Sequence, residues 1–73
     1  MVNARLLKSK MVLHDDTNVT LAEALGITPQ RLSAKLNEWE GAEFTQSEII
    51  IIKDRYHLTP EEVDAIFFMP KSS

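Results

Sequence analysis

Residues 20–29, TLAEALGITP, place a helix stop and a helix start within three residues of each other, and no other feature constrains the fold as tightly. Leu21 and Leu25 lie one turn apart, and Gly26 supplies the left-handed residue that ends a helix. Thr28 then caps the next helix, and Pro29 takes its first turn, where a missing N–H costs nothing. A helix over about 19–25 must therefore meet a second across a tight turn. Ala22 is small where the two have to approach closely, and Ile27 plugs the turn.

The same signals divide the remaining chain. A first helix over about 3–14 carries Ala4, Leu7 and Met11 on one stripe and Leu6 with Leu13 on another, so much of it should be buried. His14, Asp15, Asp16, Thr17 and Asn18 break it. Thr45 with Glu48 and Thr59 with Glu62 form capping boxes for a fourth and a fifth helix, the latter with Pro60 in its first turn. The run Ile49–Ile52 has strong β propensity and alone would suit a buried strand. Lying between a capping box and another helix start, it reads as helix. His57 falls where the fourth helix should end, which suits a C-terminal capping role. The expectation is an all-α, compact five-helix bundle: one domain over 1–70 with a loose tail at 71–73.

A chain of 73 residues buries only about 60% of the surface its unfolded form exposes, so its core is modest. It has no cysteine, which removes disulfides and thiolate metal sites as staples and leaves oligomerisation as the way to bury more. No stretch suits a signal peptide or a membrane span, and a soluble, cytoplasmic protein is expected. Eight Lys and Arg against eleven Asp and Glu give a net charge of -3, the wrong sign for phosphate binding unless a local basic face exists. Basic charge does gather on the first helix (Arg5, Lys8, Lys10) and the third (Arg31, Lys35), with acid in the connections.

On a helical wheel, Leu32 and Leu36 share the inner face of the third helix, while Gln30, Ser33, Ala34 and Asn37 cluster opposite, with Arg31 and Lys35 on one flank. A neutral polar face with flanking cations suits a DNA groove: Gln and Asn can bond adenine, Ala34 can pack on a thymine methyl, and the cations can meet phosphate. An ordinary helical hairpin is the competing reading. LAEALGIT, RLSAKLN, FTQSEI and HLTPEEVDAIF resemble the successive helices of small Cro-like regulators of temperate phages of Gram-positive bacteria. Within that group the chain is similar to the modulator-of-repression type, small proteins that bind the resident phage repressor and favour lytic growth. The resemblance implies a lambda-repressor-like helix-turn-helix over about 18–37. It carries groove-facing roles to Gln30, Ser33 and Ala34, with a phosphate or base contact at Asn18; Thr28, Arg31, Lys35 and Asn37 complete the candidate DNA- or repressor-facing set. Arg5 and Lys8 are candidate phosphate contacts.

Other features depart from a DNA binder. Asn37 leads into Glu38, Trp39, Glu40 and Gly41, where relatives tend to carry glycine and a basic residue, and glutamates beside a groove repel phosphate. Ile50 and Ile51 fall off the core stripe of Ile49, Ile52 and Tyr56, at positions where similar proteins often have lysine. Val63 and Phe67 can face inward with Ile66 at the edge, leaving Phe68 and Met69 pointing elsewhere. Such surplus apolar surface suggests a partner or a homodimer seam. Trp39 is the expected anchor, unless it caps the core beneath its loop.

His14 and His57 lack a zinc-ligand pattern, the serines have no nucleophile-elbow context, and the EF-hand spacing is missing, so neither catalysis nor a metal or other cofactor is expected. Asp15, Asp16 and the glutamates read as a solvated acidic face. Two functions follow. The first is a phage regulator that binds the N-terminal helix-turn-helix domain of the phage repressor, as an antirepressor or in a joint complex on operator DNA. The second is a dimeric Cro-like repressor that binds operator DNA directly.

Overall fold

The computed structural model describes residues 2–68, and every regular element among them is helical. The elements are α1 (Ala4–Leu13), α2 (Asn18–Leu25), α3 (Pro29–Leu36), α4 (Gln46–Tyr56) and α5 (Pro60–Val63). A single 3-10 turn, Trp39–Gly41, sits between α3 and α4, and α5 runs on into a π-helical segment, Asp64–Phe68. The expected tail at 71–73 and Met69 lie outside the described residues. The radius of gyration, 11.3 Å, matches the roughly 11 Å of a compact chain of this length, so no helix projects as an arm.

Each helix starts where a side-chain oxygen meets an orphan N–H. Asn3 caps α1, Thr17 caps α2, Thr28 caps α3, Thr45 caps α4 and Thr59 caps α5. The boxes at Thr45/Glu48 and Thr59/Glu62 are closed in both directions. A third box, Thr17 with Thr20, starts α2 one residue earlier than expected and makes Asn18 its first helical residue. Thr at the third helical position is a poorer signal than Glu or Gln, which is why it was illegible.

Three helices end alike. A left-handed residue closes each, Gly26 and His57 as the caps of α2 and α4 and Asp15 just after the His14 cap of α1, and paired backbone bonds run back into the last turn: Asp15 and Asp16 to Val12 and Met11, Gly26 and Ile27 to Glu23 and Ala22, His57 and Leu58 to Asp54 and Lys53. Gly26, at φ 74°, adopts this conformation without strain, whereas Asp15 and His57 hold it at φ 54° and 53° with a Cβ in the way. His57 thus caps α4 through its backbone.

Leu7, Met11, Leu21, Ala22, Leu25, Leu32, Leu36, Ile52, Tyr56, Leu58, Ile66 and Phe67 form one core, with Ile27, Phe44, Ile49 and Val63 packed around it. Ala22 is fully buried, as the close approach of α2 and α3 requires. The expectations for α1 and α5 need correction. Leu13 is exposed and Leu6 only half-buried, because the bundle covers one face of α1, that of Leu7 and Met11. Ile66 is fully buried and Val63 half-buried, the reverse of the expected order: the π segment takes more residues per turn and rotates Ile66 inward.

Asp16 is also corrected: it is an interior tie. Its carboxylate accepts from Arg55 Nε (2.7 Å) and Nη2 (3.0 Å), from the Tyr56 hydroxyl (2.6 Å) and from the Thr20 hydroxyl, so the start of α2 is clamped to the end of α4. The His14 ring lies against Tyr56 beside it, with centroids 5.1 Å apart. Arg55 foremost, then Thr20 and Tyr56, holds the Asp16 carboxyl well below its ordinary value against the opposing effect of burial. Burial and then Asp16 push the Tyr56 hydroxyl above its ordinary range. Because folding lowers the Asp16 value from 3.8, its contribution is complete above that pH and disappears as pH falls through the lower folded-state value. Asp16→Asn is expected to lower unfolding free energy at neutral pH by about 1–2 kcal/mol and to flatten the acid limb of stability, read by urea unfolding between neutral and strongly acid pH.

Candidate functional site

The outward face of α3 is built by its two ends. Thr28 Oγ1 accepts from the Arg31 N–H (3.1 Å), and Asn37 Nδ2 donates to the Ser33 carbonyl (3.0 Å). The Thr28 hydroxyl therefore serves the helix start, and Asn37 keeps its amide oxygen as the group to offer outward. Between them, Gln30 and Arg31 are exposed and Ser33 and Ala34 half-buried. The structure brings this part of the expected set together.

Lys35 is the exception, and it is overturned as a phosphate contact. It is 5% exposed, and its Nζ donates to both Glu48 oxygens, at 2.8 and 3.1 Å, and to the Glu43 carbonyl at 3.2 Å. The cause is angular: a residue three positions after Leu32 lies only about 60° from it around the helix, and the first turn of α4 packs on that flank. Glu48 accepts the Thr45 N–H with the same carboxylate (2.9 Å), so one side chain caps α4 and neutralises α3. Burial pushes the Glu48 carboxyl up, but Lys35 and the Thr45 N–H outweigh it and leave the group below its ordinary range. Of the two expected flanking cations, only Arg31 reaches solvent.

The loop after α3 supplies what the sequence left open. Glu38 and Glu40 are left-handed at φ 52° and 51°, and Gly41 follows at φ 78°. The Glu38 carboxylate accepts the Val2 N–H at 3.2 Å, which ties the loop to the start of the chain. This backbone path turns Trp39 outward, 65% exposed, and so excludes it as a cap on the core. Its indole faces α3 across a concavity of about 230 Å³ lined by Gln30, Ser33, Ala34 and Asn37. A wider concavity, about 460 Å³, lies between Trp39, Glu40 and Ala42 on one side and Thr28, Gln30, Arg31 and Ala34 on the other.

The remaining candidates are dispersed. Arg5 and Lys8 are exposed on α1 and line neither concavity, and Asn18 is half-buried in the first turn of α2. Ile50 and Ile51 are exposed on α4. Phe68, also exposed, edges a separate cleft of about 140 Å³ floored by Phe44, Ile49 and Phe67. Of the apolar candidates, Trp39 and Phe68 border different concavities, and Met69 lies outside the described residues.

Among the described residues, no cluster of three His, Asp or Glu could hold a metal ion, and no helix is long and apolar enough to cross a membrane. Comparison with protein-family models, curated proteins and solved structures found no match to this chain.

Lys35→Met is expected to destabilise the fold by about 3 kcal/mol, because it strands a buried carboxylate. Adding Glu48→Gln should recover much of that loss, since the amide removes the charge and still accepts the Thr45 N–H; denaturant unfolding of both variants checks this. Trp39 is the sole tryptophan of the chain. Its fluorescence should be nearly as open to acrylamide quenching in the native protein as in the unfolded one.

Proposed function

We propose that this chain is a regulator of the lytic/lysogenic switch of a temperate phage, working in the bacterial cytoplasm by binding the N-terminal helix-turn-helix domain of the phage repressor. The observation that carries this reading is the composition of the α3 face. One of its two flanking cations is withdrawn into a buried ion pair, and in its surroundings stand an exposed indole and the acidic Glu38–Trp39–Glu40 loop. A groove reader needs several phosphate contacts to hold a duplex, and each lost cation weakens its grip. An exposed Trp beside small and polar side chains instead suits a protein interface, where Trp is enriched among the dominant contacts.

The helix-turn-helix resemblance of LAEALGIT and RLSAKLN supports the choice of partner. The antirepressor masks the repressor's own DNA-reading surface or joins it in an altered operator complex. The reading includes no catalysis and no cofactor. The second function, direct operator binding as a Cro-like dimer, keeps one observation in its favour: Gln30, Ser33 and Ala34 present a neutral polar face of the kind that reads bases.

Calorimetry with the repressor's N-terminal domain is expected to show a complex, weakened about tenfold or more by Trp39→Ala. In gel shifts with the intergenic operator region, this protein alone should give no shift at low salt, and its addition should abolish or alter the shift given by the repressor. Absence of any complex with the repressor would sink the proposal. A salt-sensitive shift by this protein alone, weakened by Gln30→Ala and Arg31→Ala, would establish direct operator binding instead.

A further inference from the structure

Val12 and Leu13, at the end of α1, are each 73% exposed, the most open of the large apolar side chains among the described residues. With about 100° between successive residues, Ser9 falls opposite the midpoint of the buried Leu7 and Met11, and Arg5, Val12 and Leu13 lie within about 60° of it. All four are exposed. The outward face of α1 thus runs from a cation through a small polar residue to an apolar end, and Asp15, also exposed, follows just past the cap. Arg5, Lys8 and Asp15 have no ion-pair partner among the described residues. Within one molecule this order is electrostatically unfavourable. Arg5 stands at the positive end of the helix dipole, where the first turn has no acidic residue, and Asp15 stands at the negative end.

We propose that this face is the seam of a homodimer in which two copies of α1 pack antiparallel about a two-fold axis at Ser9. A two-fold makes every contact reciprocal. Counting outward from Ser9, Leu6 of one copy meets Val12 of the other and Arg5 meets Leu13. Asp15 lies about 3 Å further along the axis, within reach of the Arg5 guanidinium. Ser9 is small enough to let the helices approach to the roughly 8–10 Å of a packed pair. The charges select this occupant. A duplex or an anionic lipid surface would accept Arg5 and Lys8 but meet Asp15 at the other end of the same face, and parallel pairing would set like charges together. An antiparallel second copy satisfies both ends at once, because it brings the negative end of its own α1 and its Asp15 to Arg5. A pair of ten-residue helices buries less than the roughly 1,200 Å² of a standard stable interface, so the dimer is weak. The seam is separate from the α3 face, since Arg5 and Lys8 line neither concavity there, and it goes beyond the repressor reading.

The test is sedimentation equilibrium of the full chain up to about 1 mM, where a monomer–dimer equilibrium with a midpoint on the order of 100 µM is expected. Leu13→Ser should raise the dissociation constant about tenfold. Arg5→Glu and Asp15→Lys should each raise it about threefold or more when measured alone. An equimolar mixture of those two variants should associate better than either, because the mixed dimer restores opposite charges at both contacts. The chain has no cysteine, so Ser9→Cys provides a second readout: mild oxidation should link it into a dimer faster than Glu23→Cys, on the exposed side of α2. Circular dichroism and urea unfolding at low concentration check that these exposed substitutions leave the monomer folded. A monomer throughout the range, association indifferent to Leu13→Ser, a mixture no better than its components, or equal linking of the two cysteine variants would overturn the proposal. Capture of the monomer on anionic phospholipid vesicles without self-association would overturn it in favour of a lipid surface.

Discussion

The buried pair of Lys35 and Glu48 is the interaction on which the rest of the structure depends. It joins the last turn of α3 to the first turn of α4 across the loop that carries Trp39, and the same carboxylate closes the α4 capping box. Two charges taken from water stabilise a fold only when every donor and acceptor is satisfied. Here Lys35 also reaches the Glu43 carbonyl, and no buried side-chain nitrogen or oxygen among the described residues is left without a partner. With both ends of the loop anchored, residues 38–41 must reverse direction in a few steps, and left-handed backbone at Glu38, Glu40 and Gly41 is how they do it. The exposed indole follows from that path.

A second anchor acts at the opposite end of α4. Asp16 gathers Arg55, Tyr56 and Thr20, so α4 is held to α3 at its start and to α2 at its end. The pair α2–α3 is thereby fixed from both sides by ionic contacts of high sequence separation, while the apolar core fills the space between. Lys10 with Glu62 adds a further tie from α1 to α5, and the lysine is what lowers the Glu62 carboxyl most. In a chain too short for a large core, such ties select one arrangement of helices among several that would bury similar apolar area.

Much of the fold was legible in single residues. Gly26, Thr28 with Pro29, and the boxes at Thr45 and Thr59 marked helix boundaries, and they correctly assigned the isoleucine run to a helix against its β propensity. The ends of α1 at His14 and of α4 at His57 were legible too, but not the left-handed backbone that Asp15 and His57 adopt without being glycine, nor the box that Thr20 closes in the place usually taken by Glu. The π segment left no sequence mark and inverted the expected roles of Val63 and Ile66. At the candidate site the wheel places Gln30, Ser33, Ala34 and Asn37 away from the core, and in the structure Gln30 and Asn37 are exposed and Ser33 and Ala34 half-buried, but it misplaces Lys35.

What the sequence determined by itself is local: where backbone N–H groups find caps, where a chain can turn, and which side of each helix is apolar. These depend on neighbours within about a turn, so the order of residues is enough. What only the tertiary structure decided is the state of the charges. Lys35 and Asp16 look like surface residues because a wheel knows only the helix it is drawn on, and whether a flank meets water or another helix is set by packing between distant segments. That packing moved a cation out of the α3 face and placed a tryptophan beside it, which is why the face presents an indole and acid where the sequence suggested a grip on phosphate.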